Sequence, residues 1–163
     1  MKKFELTAES KINIFGKKLF RIKALISFGD VEEGETGGWI EKEENLEQSS
    51  GDAWVYGDAE VYGNARVSGD ARVSGNARVS GNAEVYGNAD YTTIHGFGTQ
   101  FRTTTFFQCE DKQIRVSCGC FLGTIPEFRE QVKNTREGKI AEEYLMIADL
   151  MEKHFVKEKE SGE

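Results

Sequence analysis

The chain of 163 residues contains only one proline, three cysteines and two histidines. An odd number of cysteines argues against a disulfide framework. No apolar run is long enough to cross a membrane, and the lysine-rich start, residues 1–11, lacks the apolar core of a secretory signal. These absences predict a cytoplasmic protein with free thiols.

Positive charge is also scarce, because the formal net charge is −7. This balance opposes general binding to nucleic acid, whose affinity comes largely from Lys and Arg on phosphates. Residues 1–23 contain seven basic and two acidic residues, whereas residues 30–60, the acidic segment, contain eleven acidic and one basic. The acidic segment is either a solvated face that keeps the protein soluble or a docking site for a basic partner.

Glycine, by contrast, is abundant and periodic. It recurs every six residues from Gly51 to Gly87, in the unit G-[DN]-A-x-V-[YS]. Alternation along a strand places Ala and Val on one face and residue x on the other, and the Gly-Asp or Gly-Asn pair suits a corner. The period predicts a solenoid whose Ala and Val point inward.

Three such units make one coil of about 18 residues, so residues 18 apart should lie above one another. The outward positions then stack as Glu60 on Arg78, Arg66 on Glu84, and Trp54 on Arg72 on Asp90. Every stacked charge pair has opposite signs, which should fix the register of the coils.

An aliphatic residue followed four places later by a small one occurs at Val61 and Ala65, at Val67 and Ala71, and at Val73 and Ala77. In this pattern the chain resembles the hexapeptide-repeat family of left-handed parallel β-helices. The resemblance implies such a β-helix over residues 28–90. Leu46 and Val55 are nine residues apart, so we expect an insertion near residues 48–50.

The first 27 residues should form a hairpin cap on the first coil. Apolar runs at 12–15 and 19–25 are separated by Gly16-Lys17-Lys18, which is a hairpin signal. An uncovered β-helix end would expose unpaired backbone groups, so we interpret the hairpin as a cap that covers them.

Residues 91–163 are expected to form a small α+β domain. A hairpin over 103–121 would pair Cys109 with Ile114, Phe107 with Val116 and Thr105 with Cys118, which would put all three cysteines on one apolar face. Thr124-Ile125-Pro126-Glu127 is a capping box, which predicts a helix over about 125–136. Helical spacing of apolar residues predicts a second helix over about 139–157.

The segments FGDVEEGETGGWIEKEENL at 28–46, TTTFF and SCGCFLGT resemble hexapeptide-repeat proteins of phages, prophages and low-GC bacteria. The resemblance covers nearly the whole chain. It implies a mobile-element origin and carries no catalytic residues with it.

The sequence offers candidates for three kinds of chemical site. Many hexapeptide-repeat proteins are acyltransferases that use a histidine, so His95 is the catalytic alternative, although the repeats themselves contain no histidine. Cys109, Cys118 and Cys120 could bind zinc with His95 or His154, but their spacing is poor. Asp52 and Asp70 could attract calcium, but Asn replaces Asp in most units. We therefore expect no cofactor, no metal and no catalysis.

The remaining hypothesis is a binding protein. Tyr and Trp anchor interfaces, and a rigid rod should present them on its outside. We expect a dimer or trimer and a basic protein partner, with the protein acting as a phage-type accessory factor, for instance an inhibitor of a host defence system. A sponge that traps a small nucleotide between subunits is the alternative. The candidate binding residues are Glu32, Glu33, Glu35, Trp39, Glu43, Glu44, Trp54, Tyr56, Tyr62 and Tyr86.

Overall fold

The computed structural model describes residues 2–156. Its elements are, in chain order, β1 (Phe4–Ile12), β2 (Lys18–Ala24), β3 (Thr36–Ile40), β4 (Trp54–Val55), β5 (Glu60–Val61), β6 (Arg66–Val67), β7 (Arg72–Val73), β8 (Arg78–Val79), β9 (Glu84–Val85), β10 (Tyr91–Phe97), β11 (Arg102–Gln108), β12 (Ile114–Cys118), β13 (Phe121–Thr124), α1 (Ile125–Thr135) and α2 (Gly138–His154). Two short 3-10 turns, Glu43–Asn45 and Asn88–Asp90, flank the regular repeats. The protein is mainly β. None of the helices within residues 2–156 has the length and apolar character that crossing a membrane requires.

The repeats form a β-solenoid, here called the rod, which is built from three parallel ladders, β4–β7, β5–β8 and β6–β9. Trp54 pairs with Arg72, Glu60 with Arg78 and Arg66 with Glu84, which confirms the 18-residue register. The inward Ala and Val of each unit are at most 1% exposed: Ala53, Val55, Ala59, Val61, Ala65, Val67, Ala71, Val73, Ala77, Val79, Ala83 and Val85. Burial of this apolar column is the main source of stability in the rod.

The predicted stack of Asp90 on Arg72 is wrong. The period ends at Gly87, and Asp90 lies in the second 3-10 turn instead of a further strand. The backbone N–H of Arg72 donates instead to Asn88 Oδ1 at 2.8 Å, and the guanidinium of Arg72 pairs with Asp30.

The first coil is longer than the later ones. Ile40 pairs with Val61 and Leu46 with Val67, both 21 residues on, as expected for a three-residue insertion near 48–50. The side chain of Gln48 accepts from the Lys3 and Phe4 N–H groups at 2.8 and 3.1 Å and donates to Phe4 O at 2.9 Å. The insertion therefore fastens the N-terminal strand to the rod.

The N-terminal hairpin extends one side of the rod in the sheet order β1-β2-β3-β5-β8. Residues 12–15 were expected to form a strand, but β1 ends at Ile12 and the chain then turns. Asn13 Oδ1 accepts from the N–H groups of Phe15 and Lys17 at 2.9 and 3.0 Å, which closes the turn before a second strand can start.

The four-stranded sheet β10-β11-β12-β13 packs between the rod and the two helices. The predicted pairing of its β11–β12 hairpin is one residue off, because Gln108 pairs with Ile114, Phe106 with Val116 and Thr104 with Cys118. A one-residue slip exchanges the faces of the sheet. Phe107 and Cys109 therefore join the rod core, while Phe106 and Val116 face the helices.

The two helices close the far side of this sheet. As the capping box predicts, α1 begins after Thr124, whose Oγ1 accepts from Glu127 N at 3.3 Å. The second helix, α2, ends at His154, whereas the prediction extended it to residue 157, which lies outside the described residues.

Main-chain hydrogen bonds join each coil to the next along every ladder. An N–H of one coil donates to a carbonyl of the next, as Trp54 N does to Ala71 O at 3.1 Å and Glu60 N to Ala77 O at 2.9 Å. The main-chain groups at the two ends of the rod have no further coil to pair with.

Side chains supply hydrogen-bond partners to the main chain at both ends. At the start, Lys3 Nζ donates to Ala53 O at 3.0 Å, Arg21 Nη1 to Gly57 O at 2.9 Å and Asn45 Nδ2 to Ala65 O at 2.9 Å. At the far end, each ladder meets an acceptor. The three bonds are Arg72 N to Asn88 Oδ1 at 2.8 Å, Arg78 N to Thr105 Oγ1 at 3.0 Å and Tyr86 N to Asp90 Oδ2 at 2.9 Å.

Candidate binding groove

The three sides of the rod differ in what covers them. On the β5–β8 side, Leu19 of the hairpin packs with Trp39 and Tyr62, which are 6% and 5% exposed. Lys11 Nζ and the Arg21 guanidinium lie 4.6 and 4.5 Å from the Trp39 ring. The prediction that Trp39 and Tyr62 form an exposed binding face is therefore wrong, because the hairpin covers both.

The β4–β7 side is covered by the chain around Phe28. Trp54 is fully buried, with ring centroids 6.3 Å from Phe4 and 5.3 Å from Phe28. Trp54 is thus also unavailable to a partner, contrary to prediction. Tyr56 remains half-buried on this side. Burial raises the pKa of its hydroxyl, and the opposing effect of Arg72 is smaller.

Three of the predicted acidic residues, Glu32, Glu33 and Glu35, lie in the segment that joins β2 to β3. Asp30 in the same segment pairs with Arg72 of β7, which places these carboxylates near the β4–β7 side. Glu32 and Glu33 are exposed, and Glu35 Oε1 accepts from Glu32 N at 3.2 Å. The acidic segment is consequently divided between different sides of the rod.

The β6–β9 side carries a groove, here called the acidic groove. It consists of two adjoining depressions of about 420 and 600 Å³ that share Glu44 and Arg66. Its charged lining comprises five carboxylates and two basic groups: Glu43, Glu44, Glu47, Glu84, Glu110, Lys42 and Arg66. Tyr86, 47% exposed, is its aromatic member. The structure thus brings together three of the predicted residues, Glu43, Glu44 and Tyr86.

Local contacts hold the groove carboxylates in place. Glu43 pairs with Lys2 at 3.0 Å, and Glu84 lies 4.0 Å from Lys112. Hydrogen bonds from the Ser49 side chain and backbone lower the pKa of Glu47, which keeps it ionised. Exposed pairs of this kind are weak, so the carboxylates stay accessible to another cation.

The side chain of Tyr86 lies beside these carboxylates. Burial, followed by the carboxylate of Glu84, raises the pKa of the Tyr86 hydroxyl. The phenol therefore remains a neutral hydrogen-bond donor over the physiological range, with an apolar ring beside it.

The groove contains residues that the sequence reasoning did not select, namely Glu47, Arg66, Glu84 and Glu110. The 18-residue register already placed Arg66 beside Glu84 on one side of the rod. Glu110 had no such signal, since it reaches the rod through the C-terminal sheet, where its N–H donates to Asn82 O at 2.9 Å.

A third depression of about 410 Å³, the junction cleft, shares Asn82 and Glu110 with the groove and continues it between the last coil and β12–β13. Arg115 Nη2 donates to Asp111 at 2.7 Å, while Arg115 Nη1 is buried without a partner among the described residues. Burial raises the pKa of the Cys109 thiol in this cleft to about 11.

His95 and the three cysteines do not line the groove, although Cys109 lines the adjoining junction cleft. His95 is exposed on β10, and its Nδ1 lies 2.9 Å from Thr103 Oγ1. Cys109 is buried, Cys118 half-buried and Cys120 exposed. The prediction that these cysteines share one face is wrong, for the register reason given above. Within residues 2–156, no three His, Cys, Asp or Glu side chains lie close enough together to hold a metal ion.

One family of known proteins matches part of this chain. Residues 59–75 and 71–87 match the YdcK beta solenoid repeat. The matched stretch begins just before β5 and ends just after β9, so the similarity supports a β-solenoid repeat in the region that forms the ladders. No curated protein matches the chain.

Proposed function

We propose that this protein is a non-catalytic binding module whose acidic groove holds a basic, extended segment of a protein partner. The observation that carries the proposal is the convergence of five carboxylates and an exposed tyrosine on the side of the rod that neither the hairpin nor the Phe28 segment covers. A surface with an excess of negative charge steers positively charged partners, and Tyr provides apolar contact at low entropic cost.

The rigidity of the rod supports this role. The groove floor is formed by β6 and β9, whose inward valines are at most 1% exposed, so binding requires no ordering of the main chain. A preorganised surface loses less entropy on association.

Finer features of the proposal rest on the sequence resemblance. We propose that the coil is left-handed, as in hexapeptide-repeat proteins, and that the protein acts as a phage-type accessory factor against a host protein. The nucleotide sponge and the acyltransferase remain alternatives.

A charged probe tests the groove directly. Fluorescein-labelled hexalysine should bind, as measured by anisotropy, and binding should weaken as salt rises. The double variant Glu43→Gln/Glu44→Gln should bind roughly fivefold more weakly, because exposed ion pairs are worth about 0.5 kcal/mol each.

The matched control is Glu32→Gln/Glu33→Gln, which removes the same charge from the other side of the rod. It should bind nearly as well as the unmodified protein. Equal losses in the two variants would mean that hexalysine responds to net charge alone, and the groove would not be the site. The same two variants, used as baits in host lysate, should differ in the protein partner that they retain.

A further inference from the structure

The turn of the N-terminal hairpin, residues 11–18, is here called the hairpin tip. Its apolar side chains are exposed, Ile12 to 64% and Ile14 to 57%, and Phe15 to 37%. Exposed apolar residues that cluster in this way mark interaction sites. The tip is therefore a candidate docking element.

The tip is basic as well as apolar. It contains Lys11, Lys17 and Lys18 and no carboxylate. Lys11 pairs with Glu60 of its own chain at 2.9 Å, while Lys17 and Lys18 are exposed. The tip thus has the chemistry that suits the acidic groove, with cations interleaved with apolar side chains.

The tip is also preorganised. Asn13 N donates to Lys17 O at 2.9 Å, Asn13 Oδ1 accepts two N–H groups, and Gly16 takes the left-handed backbone conformation that the turn requires. A rigid element presents its side chains with little further loss of entropy.

The tip cannot occupy the groove of its own chain. The Phe15 ring lies 6.1 Å from that of Tyr62, and Asn13 Nδ2 donates to Glu60 Oε1 at 3.2 Å, so the tip is held on the β5–β8 side. The groove lies on the β6–β9 side. Only a tip from another molecule can therefore reach it.

We propose that the hairpin tip of one copy docks in the acidic groove of a second copy of this chain. The free protein then self-associates through the surface that takes the basic partner, which must displace the tip. This inference rests on the proposed function of the acidic groove. A second copy of this chain is proposed as the occupant because the basic tip and the acidic groove have complementary charge.

Charge reversal provides the test, with mass measured by light scattering. The unmodified protein should have a mass that is a multiple of 18.3 kDa at low salt, and the mass should fall as salt rises. The tip variant Lys17→Glu/Lys18→Glu and the groove variant Glu43→Lys/Glu44→Lys should each associate roughly a hundredfold more weakly, because like charges then meet.

Mixing the two variants is the decisive step. The reversed tip of one variant now meets the reversed groove of the other, so the mixture should assemble although each variant alone does not. Misfolded variants could not do this. The control Glu32→Lys/Glu33→Lys should self-associate as the unmodified protein does.

Two outcomes would overturn the inference, namely a monomer at high protein concentration and low salt, or a mixture that stays monomeric. Hexalysine separates this failure from that of the proposed function. A monomer that still binds hexalysine through Glu43 and Glu44 would retain the groove and lose only the tip. Loss of both would remove both proposals.

Discussion

The rod and the C-terminal domain build their cores in opposite ways. The rod stacks small side chains, one Ala and one Val from each unit, and any unit has close equivalents above or below it. The C-terminal core depends on aromatic residues that occur once, with Phe128 in edge contact with Phe106 and Tyr144 at ring separations of 6.2 and 5.8 Å. The stability of the rod is therefore divided among many small side chains, whereas that of the C-terminal domain depends on a few aromatic residues.

The largest expected effect is at Phe128. Replacing this buried residue by alanine should destabilise the protein by about 3–5 kcal/mol, because the cavity removes contacts to three aromatic rings. Urea unfolding followed by circular dichroism measures the loss. Phe101→Ala is the control, since Phe101 is 65% exposed and should change stability little. Similar losses in both variants would contradict a concentrated core.

Two glycines of the rod test whether equivalent positions are truly equivalent. Gly75 and Gly69 have similar positive φ angles of +67° and +63°, yet a Cβ at Gly75 meets nothing within 4 Å, whereas one at Gly69 would lie 2.2 Å from Tyr86 O. Gly75→Ala should cost about 1–2 kcal/mol from the left-handed backbone alone. Gly69→Ala should cost clearly more in the same urea titration, because the backbone of the next coil must move. Equal costs would show that the coils are more loosely stacked than described.

The far end of the rod offers a smaller test. Thr105→Val keeps the side-chain shape but removes the acceptor of the Arg78 N–H, which should cost about 1 kcal/mol because a part-buried donor loses its partner. Thr103→Val is the matched control, since the Thr103 hydroxyl contacts exposed His95. Thermal unfolding should show a lower midpoint for the first variant only; if the two midpoints agree, the side-chain caps do not matter.

The smallest expected effect concerns pH. The unfolded Cys109 thiol loses its proton near its ordinary pKa of 9.0, whereas the folded thiol retains it up to about 11. The unfolded state then binds fewer protons, so this thiol's contribution to stability is complete below pH 9 and is lost between pH 9 and about 11. In urea titrations across this range, Cys109→Ala should lose less stability than the unmodified protein. Cys120→Ala should behave as the unmodified protein does, because Cys120 is exposed. Parallel slopes for Cys109→Ala and Cys120→Ala would refute the role of Cys109.

The comparison also explains which parts of the fold were predictable. Each six-residue unit repeats the same signal, so the register of Glu60 on Arg78 and the insertion before Gly51 could both be predicted from spacing. The C-terminal hairpin has no repeat to correct an error. Its loop is one residue shorter than expected, since Cys109 N donates to Gln113 O at 3.0 Å and Lys112 takes a positive φ of 68°. Glycine would have signalled that conformation, and lysine does not.

The groove was only partly predictable for a related reason. Spacing predicts that Trp39, Trp54 and Tyr62 point away from the inward Ala and Val, but periodicity within the repeats cannot say which sides a hairpin from another part of the chain will cover. Glu43, Glu44 and Tyr86 are accessible because the hairpin covers a different side. Two strands, β10 and β13, were also missed, the second because Gly119 turns the chain inside an apparently continuous β-prone run.

The side-chain hydrogen bonds at the two rod ends allow the number of repeats to change only in certain steps. Inserting three whole units returns each ladder to its original position, so the donors Lys3, Arg21 and Asn45 and the acceptors Asn88, Asp90 and Thr105 all keep their partners. Inserting one unit moves the C-terminal sheet onto the next ladder and changes its angular position relative to the hairpin. The number of repeats thus sets both the length of the rod and the angle about its axis between the hairpin and the C-terminal sheet. A relative with a different number of repeats would present its groove and its hairpin tip at another relative orientation.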